Sequence, residues 1–272
     1  MNMETLPETS SKKPIWVWIL LGFALIITIV WLVLTPSGLL GRANAVGYAV
    51  CHQIEERSFK IGERTFPMCV RCSGLFLGAM LGLAYQVFSG RKGKMPPLAA
   101  MIIFGLLALA WVLDGLNSFL MMVPGFPSPY ATQNWTRLVT GTGMGLAVSA
   151  ILLPSFIQTM FRTWEDISVF KIWWRLPLLL ILAAGLDFLL LLEIPWLMYV
   201  LAVFSALGVL ALLTMVYSMV FVMITKKENT YDRFRQLWVP LIAGYTVALL
   251  QIGIIDLLRY LWTGTWGGFN LL

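Results

Sequence analysis

All three cysteines and the single histidine of this 272-residue chain lie between Cys51 and Cys72, in the stretch CHQIEERSFKIGERTFPMCVRC. Cys69 and Cys72 form a Cys-x-x-Cys pair, and Cys51 and His52 stand side by side upstream of it. Thiolates and imidazoles are the ligands that zinc prefers, and four of them complete a tetrahedral site. The stretch therefore predicts a site for zinc or another transition metal, with these four residues as its ligands.

The same stretch also permits thiol chemistry. In an oxidising compartment, Cys69 and Cys72 could form a disulfide, with Cys51 as the exchanging thiol, or the three thiols could simply pack. Residues 44–59 have the composition of a short surface helix, on which the neighbours Cys51 and His52 would point about 100° apart. One of these two could therefore be a non-ligand. Arg71, between the paired cysteines, could lower a thiol pKa or hold an anion.

The composition is that of an integral membrane protein. Hydrophobic residues make up 59% of the chain and charged residues only 12%, whereas a soluble domain carries about 25% charged residues. The net charge of +6 does not indicate nucleic-acid binding, because the basic residues form short clusters between apolar runs. We therefore predict an all-α, polytopic membrane helix bundle that has the lipid bilayer as its surroundings.

Apolar runs long enough to cross a bilayer define the organisation of the chain. A helix needs about 20 such residues to span the hydrocarbon core. Residues 1–13 are predicted to be a disordered cytoplasmic tail. A four-span core over 14–162 carries the Cys/His loop 35–72, and residues 163–272 add a three-span part. The seven predicted transmembrane helices are 14–34, 73–89, 97–122, 137–161, 175–193, 195–224 and 237–262.

Basic residues distribute unevenly between the two sides of these spans. Short loops rich in lysine and arginine stay in the cytoplasm. The less basic side receives five residues: Arg42, Arg57, Lys60, Arg64 and Arg71. The other side receives twelve: Lys12, Lys13, Arg91, Lys92, Lys94, Arg162, Lys171, Arg175, Lys226, Lys227, Arg233 and Arg235. We therefore expect a multi-pass plasma-membrane protein with a cytoplasmic N-terminus and an extracytoplasmic C-terminus and Cys/His loop.

Charged residues within the spans are costly, and they mark candidate functional positions. The aspartates Asp114, Asp187 and Asp256 lie about 9–12 Å below the outer ends of their helices, at 1.5 Å per residue. Arg137 opens the fourth span from the same side. Arg259 follows Asp256 by three residues, so these two could simply pair with each other. These charged residues thus lie at a similar depth in the bilayer, just beneath the Cys/His loop.

Glycines recur along the second and fourth spans. Small residues at such spacing allow two membrane helices to approach closely. We therefore predict that these spans meet, which would bring Arg137 near Cys69 and Cys72. The glycines concerned are Gly74, Gly78 and Gly82 in one span and Gly141, Gly143 and Gly145 in the other.

Several segments together resemble a family of uncharacterised prokaryotic membrane proteins defined by a Cys-His-Gln and Cys-x-Arg-Cys-x-Gly pattern. They are CHQ, RSF and CVRCSG, followed by LDGLN at 113–117 and NWTRLVTGTGMG at 134–145. The resemblance covers roughly residues 40–150, leaves 163–272 outside, and implies no particular reaction. The matching positions are Cys51, His52, Gln53, Arg57, Cys69, Arg71, Cys72, Gly74, Asp114, Gly115, Asn134, Arg137 and Gly141.

The preferred functional hypothesis is a metal-dependent membrane enzyme or binding protein whose site faces outward. Asp114 would act as acid, base or support of the ligands, and Arg71 and Arg137 would hold an anionic group of a lipid-like or small-molecule substrate. A zinc ion with four protein ligands is normally structural, so catalysis at the metal requires that His52 leave a position open. The alternatives are a thiol–disulfide redox protein acting through Cys69 and Cys72, and a transporter that couples protons or cations to the aspartates.

Overall fold

The computed structural model describes residues 14–123, 125 and 128–268, so the predicted tail 1–13 lies outside the described residues. The described part is a bundle of α-helices with one small hairpin, β1 (Lys60–Ile61) and β2 (Arg64–Thr65). This confirms the prediction of an all-α, polytopic bundle. The helices are α1 (Ile15–Leu34), α2 (Leu39–Val50), α3 (Val70–Val87), α4 (Leu98–Leu120), α5 (Asn134–Met160), α6 (Arg175–Leu191), α7 (Pro195–Ile224) and α8 (Trp238–Thr263).

Six of the described helices are long and apolar enough to cross a membrane: α1, α3, α4, α5, α7, and α8 with the 3-10 turn before it. The fifth predicted span, 175–193, forms α6, which has only 17 residues. At 1.5 Å per residue α6 is about 26 Å long, slightly shorter than a bilayer core of about 30 Å. Its length is limited by Glu193, whose backbone is left-handed at φ 47°, and by Pro195, the first residue of α7.

The connecting segments gather at two opposite ends of the bundle. At one end, which we call the basic end, the segments 88–97, 161–174 and 225–237 contact one another. Gly93 N donates to Glu165 O at 3.1 Å, and Arg162 N donates to Tyr231 O at 3.0 Å. Since 161–174 and 225–237 share this end, α6 and α7 must run antiparallel, and α6 crosses the bundle despite its length. The cysteines lie at the opposite end, the cysteine end.

Helices α3 and α5 form the centre of the bundle and make the most extensive helix contact in it. A Cβ atom at Gly145 would lie 2.1 Å from Leu75 O, and one at Gly78 would lie 2.5 Å from Thr142 O. The two backbones are therefore in direct contact, and only glycine fits at these crossings. This confirms the predicted meeting of the second and fourth spans, and it places the first turns of α3 and α5 side by side at the cysteine end.

Candidate metal centre

The sulfur atoms of Cys51, Cys69 and Cys72 converge. All three lie within 4.8 Å of one another, and sulfurs that share one zinc ion are separated by about 4 Å. Cys51 follows α2 in an extended conformation, Cys69 is the N-cap of α3, and Cys72 lies in the first turn of that helix. The predicted convergence of the three sulfurs is confirmed, and the cluster could hold a metal ion.

Backbone N–H groups point at the most buried sulfur of the cluster. Gln53 N donates to Cys51 Sγ at 3.4 Å, and Cys69 N donates to the same sulfur at 3.2 Å. Hydrogen bonds from the main chain to sulfur favour the ionised, ligating form of the side chain. The turn after α2 and the start of α3 thus each place a hydrogen-bond donor at the Cys51 sulfur.

Gln53 joins the two parts of the chain that carry the cysteines. Its Nε2 donates to Asn44 O at 3.1 Å and to Pro67 O at 2.7 Å, and its backbone is left-handed, with φ 53°. Close packing supports the same junction, because a Cβ at Gly47 would lie 2.0 Å from Pro67 O. We therefore interpret Gln53 as a positioning residue that sets the separation of Cys51 from Cys69.

His52 does not join the sulfurs, so the structure brings together three of the four predicted ligands. The predicted helix over 44–59 is wrong in its bounds, because α2 ends at Val50. Cys51 is extended, and successive side chains of an extended segment point to opposite sides. Cys51 therefore points into the protein, while His52 is exposed. A metal held by the three sulfurs would keep a further coordination position for another ligand.

The three thiols do not ionise independently, because they hydrogen-bond to one another. The hydrogen bond with Cys69, together with burial, raises the pKa of Cys51 to about 12. Hydrogen bonds from Cys51 and then Cys72, with a smaller contribution from the Arg71 charge, lower the pKa of Cys69 well below its usual value. Cys69 is therefore the first of the three thiols to carry a negative charge, and Arg71 contributes to its stabilisation.

Asp114 lies beside this cluster and is paired with Arg71. The Arg71 guanidinium forms an ion pair with the Asp114 carboxylate and donates to Asp114 O at 3.1 Å. The Tyr130 hydroxyl donates to Asp114 Oδ1 at 2.8 Å. The Asp114 side chain is 2% exposed, so it faces the protein interior. Arg71 thus links the cysteines, from α3, to a buried carboxylate on α4.

Arg137 and Arg57 approach each other through two hydroxyl groups. Arg137 Nη2 donates to Thr132 Oγ1 at 2.6 Å, and Thr132 Oγ1 donates to Ser118 Oγ at 3.3 Å. Arg57 Nη1 donates to Ser118 Oγ from the other side, also at 3.3 Å. Asn134 accepts a hydrogen bond from Arg137 Nη1 at 3.0 Å. The sequence did not single out Tyr130, Thr132 or Ser118, because isolated hydroxyl residues in loops and helix ends carry no spacing signal.

The other predicted charged residues lie in helix contacts. Asp187 accepts a hydrogen bond from Thr142 at 2.6 Å, between α6 and α5. Asp256 accepts one from Trp31 Nε1 at 3.1 Å, between α8 and α1. Arg259 donates to Cys51 O at 2.6 Å and to His52 O at 3.2 Å, which satisfies carbonyls at the end of α2. Arg259 therefore positions Cys51 through its backbone.

A cavity of about 400 Å³ lies between the end of α2 and α8. Cys51, His52 and Arg259 contribute to its wall, together with the apolar residues Leu258 and Trp262. Leu258 is 62% exposed and Trp262 is 81% exposed on the outside of α8. The cavity thus joins an apolar outer surface to the polar groups next to the cysteine cluster.

Comparison with known proteins places this arrangement in a family. The model of the predicted membrane protein family DUF2085 matches residues 51–152. An uncharacterized protein of Methanothermobacter thermautotrophicus is 30% identical over 110 residues, which cover 40% of this chain and 90% of the relative. The chain belongs to the DUF2085 family. An uncharacterized protein of Methanocaldococcus jannaschii is 26% identical over 122 residues, which cover 44% of this chain and 72% of that relative.

The DUF2085 segment contains the site that the structure assembles. Residues 51–152 include the three cysteines, Asp114 and Arg137, whereas α1, α2 and α6 to α8 lie outside the match. No solved structure matches the chain. The helices outside the match still support the site, since Arg259 of α8 holds the backbone of Cys51.

Proposed function

We propose that this DUF2085 protein binds a transition metal, of which zinc is the first candidate, through Cys51, Cys69 and Cys72, and that a ligand from outside the chain completes the coordination. The convergence of the three sulfurs within 4.8 Å carries the proposal. A zinc-type ion with an open position supplies a Lewis acid or an activated water. A site of this kind suits a metal-dependent enzyme or a binding protein.

The residues next to the sulfurs suit an anionic substrate. Arg71 stands between the cysteines and is held in place by Asp114, and Arg137 lies within the same network of charges. In the proposal, Arg71 and Arg137 bind the anionic group, and Asp114 orients Arg71 or transfers a proton. The cavity beside Cys51 lies where a lipid-like molecule could enter from the bilayer, so both lipids and small anions are within the proposed substrate range.

The metal content of the purified protein tests the proposal. In neutral detergent, elemental analysis is expected to find about one transition-metal ion per chain. The Cys69→Ser variant is expected to lose nearly all of this metal, because only two of the three sulfur ligands remain. His52→Gln is the matched control, since it changes the adjacent predicted ligand that the structure keeps apart from the sulfurs. This control should keep the full metal content.

The outcome that contradicts the metal site is equally specific. A metal-free protein with a Cys69–Cys72 disulfide, identified by mass spectrometry after alkylation without reductant, would support the thiol–disulfide alternative instead. The hydrogen bond with Cys51 and, to a smaller extent, the charge of Arg71 lower the pKa of Cys69, which favours that alternative because a stabilised thiolate is the reactive form in exchange. Loss of metal in the His52→Gln variant would instead support the predicted site in which His52 is the fourth ligand.

We also propose that the cysteine end faces outward and the basic end faces the cytoplasm, in the plasma membrane. The excess of lysine and arginine in the segments of the basic end supports this orientation. A membrane-impermeant maleimide applied to intact cells is expected to label Glu63→Cys, in the hairpin turn, and to label Lys94→Cys only after permeabilisation. Peptide-resolved mass spectrometry separates these labels from the native cysteines. Labelling at position 94 in intact cells would reverse the orientation.

A further inference from the structure

We infer that Arg57, Arg71 and Arg137 form a binding site for a phosphate group at the cysteine end. The inference deepens the proposed function, since it rests on the cysteine end being the ligand-binding end and names the chemical class of the anion. It does not depend on the metal itself. The site is assembled from three separate elements: the 3-10 turn Glu55–Arg57, the first turn of α3 and the first turn of α5.

The charges of this group do not balance. Arg57 and Arg137 are connected through the hydroxyls of Ser118 and Thr132. Arg71 pairs with Asp114, one helical turn from Ser118 on α4, and Cys69 lies two residues before Arg71, so the five groups share one region. Three of them are guanidinium groups, and Asp114 is the single carboxylate. Even with Cys69 counted as a thiolate, one positive charge remains. Uncompensated charge near the apolar part of a membrane protein is costly, so the arrangement favours a bound anion.

The backbone adds to the positive potential at the same place. Helices α3 and α5 both begin here, and neither has an acidic residue in its first turn. The N-terminus of a helix carries a partial positive charge and favours anions. Arg71 and Arg137 occupy these first turns, where a cation is unfavourable unless an anion is also present. Two helix ends and three guanidinium groups thus act in the same direction.

Two guanidinium donors of this group have no hydrogen-bond acceptor among the described residues. The Nε atoms of Arg71 and Arg137 are buried and have no hydrogen-bond partner in the described part of the chain, and Arg137 is only 8% exposed. A buried donor without a partner costs free energy. Guanidinium groups bind the oxygens of phosphate in a bidentate way. A tetrahedral phosphate has enough oxygens to accept hydrogen bonds from several guanidinium groups at once. A carboxylate, with two oxygens, has fewer acceptor positions.

The phosphate could belong to a lipid headgroup or to a free ion, and calorimetry distinguishes the two. The full-length protein in a neutral maltoside detergent and phosphate-free buffer is titrated with inorganic phosphate, with dihexanoyl phosphatidic acid below its micelle concentration, and with dihexanoylglycerol. Saturable binding of a phosphate compound and none of dihexanoylglycerol are expected. Affinity at least about tenfold higher for the phosphatidic acid identifies a lipid source; equal or higher affinity for inorganic phosphate identifies a free ion. If neither inorganic phosphate nor the phosphatidic acid binds saturably, the inference is overturned.

Variants show whether the three arginines are responsible. Arg57→Gln and Arg137→Lys are each expected to weaken phosphate binding at least about tenfold, the effect of losing one charge-assisted contact. Arg64→Gln is the matched control, because Arg64 is an exposed arginine of strand β2 at the same end, and it should bind as the unchanged protein does. If Arg137→Lys fails to fold, Arg57→Gln decides, since its hydrogen bonds to Ser118 are long, at 3.3 and 3.4 Å. Unchanged affinity in a folded Arg57→Gln protein would refute the site.

Metal content measured on the same samples separates this inference from the proposed function. Arg57→Gln is expected to bind phosphate at least about tenfold more weakly and to keep its metal. A protein that contains metal but binds no phosphate overturns the phosphate site alone. A protein that binds phosphate through the arginines but contains no metal overturns the metal site alone.

Discussion

Gly145→Ala is expected to reduce the free energy of unfolding by more than about 3 kcal/mol, although it adds a single methyl group. The new Cβ would lie 2.1 Å from Leu75 O and 2.6 Å from Ala79 N. Both are backbone atoms of α3, so no rotamer change can relieve the contact, and the two central helices must separate. Overpacking that side chains can absorb costs about 1–3 kcal/mol, and a backbone clash at the centre should exceed this range.

Gly185→Ala is the control for this prediction. It makes the same change in α6, where an added Cβ meets nothing within 4 Å. The free energy of unfolding should therefore change by no more than about 1 kcal/mol, in either direction. Thermal unfolding in neutral detergent, monitored by size-exclusion chromatography, measures the stability of both variants. Equal melting temperatures for the two variants would contradict direct backbone contact of α3 and α5. The metal content of Gly145→Ala should fall together with its folded fraction, since Arg71 and Cys72 begin the helix that must move.

The features that the sequence predicted well are those with a local signal. Apolar runs have the length of a bilayer crossing, so the helices were located within a few residues. Glycines at four-residue spacing mark one face of a helix, and this is why the meeting of α3 and α5 could be predicted. The clustering of the cysteines also predicted their convergence, because a chain with no other cysteine places all of them in one loop and one helix start.

The features that the sequence missed depend on exact ends of elements and on distant partners. Whether Cys51 and His52 share a direction depends on α2 ending at Val50, and no residue in that stretch marks this end. The partner of Asp114 is Arg71, 43 residues away in the chain, and no periodic pattern connects them. Arg259 donates to the carbonyls of Tyr48, Cys51 and His52, 207 to 211 residues away in the chain, and no periodic pattern connects them.

Asp114→Ala is expected to destabilise the protein by about 3–5 kcal/mol, the usual cost of removing one partner of a buried ion pair. The Arg71 side chain is only 17% exposed, so its charge would remain in a poorly solvated place without its carboxylate. The Tyr130 hydroxyl would lose its acceptor as well. Thermal unfolding in neutral detergent measures the loss, and Asp166→Ala is the control. Asp166 also pairs with a cation, Lys94, but that pair is exposed and should contribute little.

A double variant, Arg71→Met with Asp114→Leu, is expected to recover most of this stability. Replacing both members of a buried pair with apolar residues of similar size is often neutral or stabilising. If the pair only supported the fold, the double variant would bind phosphate as the unchanged protein does. We expect instead that it folds, keeps its metal and loses phosphate binding, because one of the three arginines is gone.

Asp114→Asn removes the negative charge of this side chain and keeps a similar shape. It leaves Arg71 in place and deletes the one carboxylate among the three arginines, so phosphate should bind as tightly as before or a few-fold more tightly, by about 1 kcal/mol at most for a partly screened charge. The double variant should therefore weaken phosphate binding and Asp114→Asn should not, while both contain metal. A structural pair would instead make binding capacity follow the folded fraction in each variant, with no change in affinity. Isothermal titration with inorganic phosphate, corrected for the folded fraction measured by chromatography, separates the two cases.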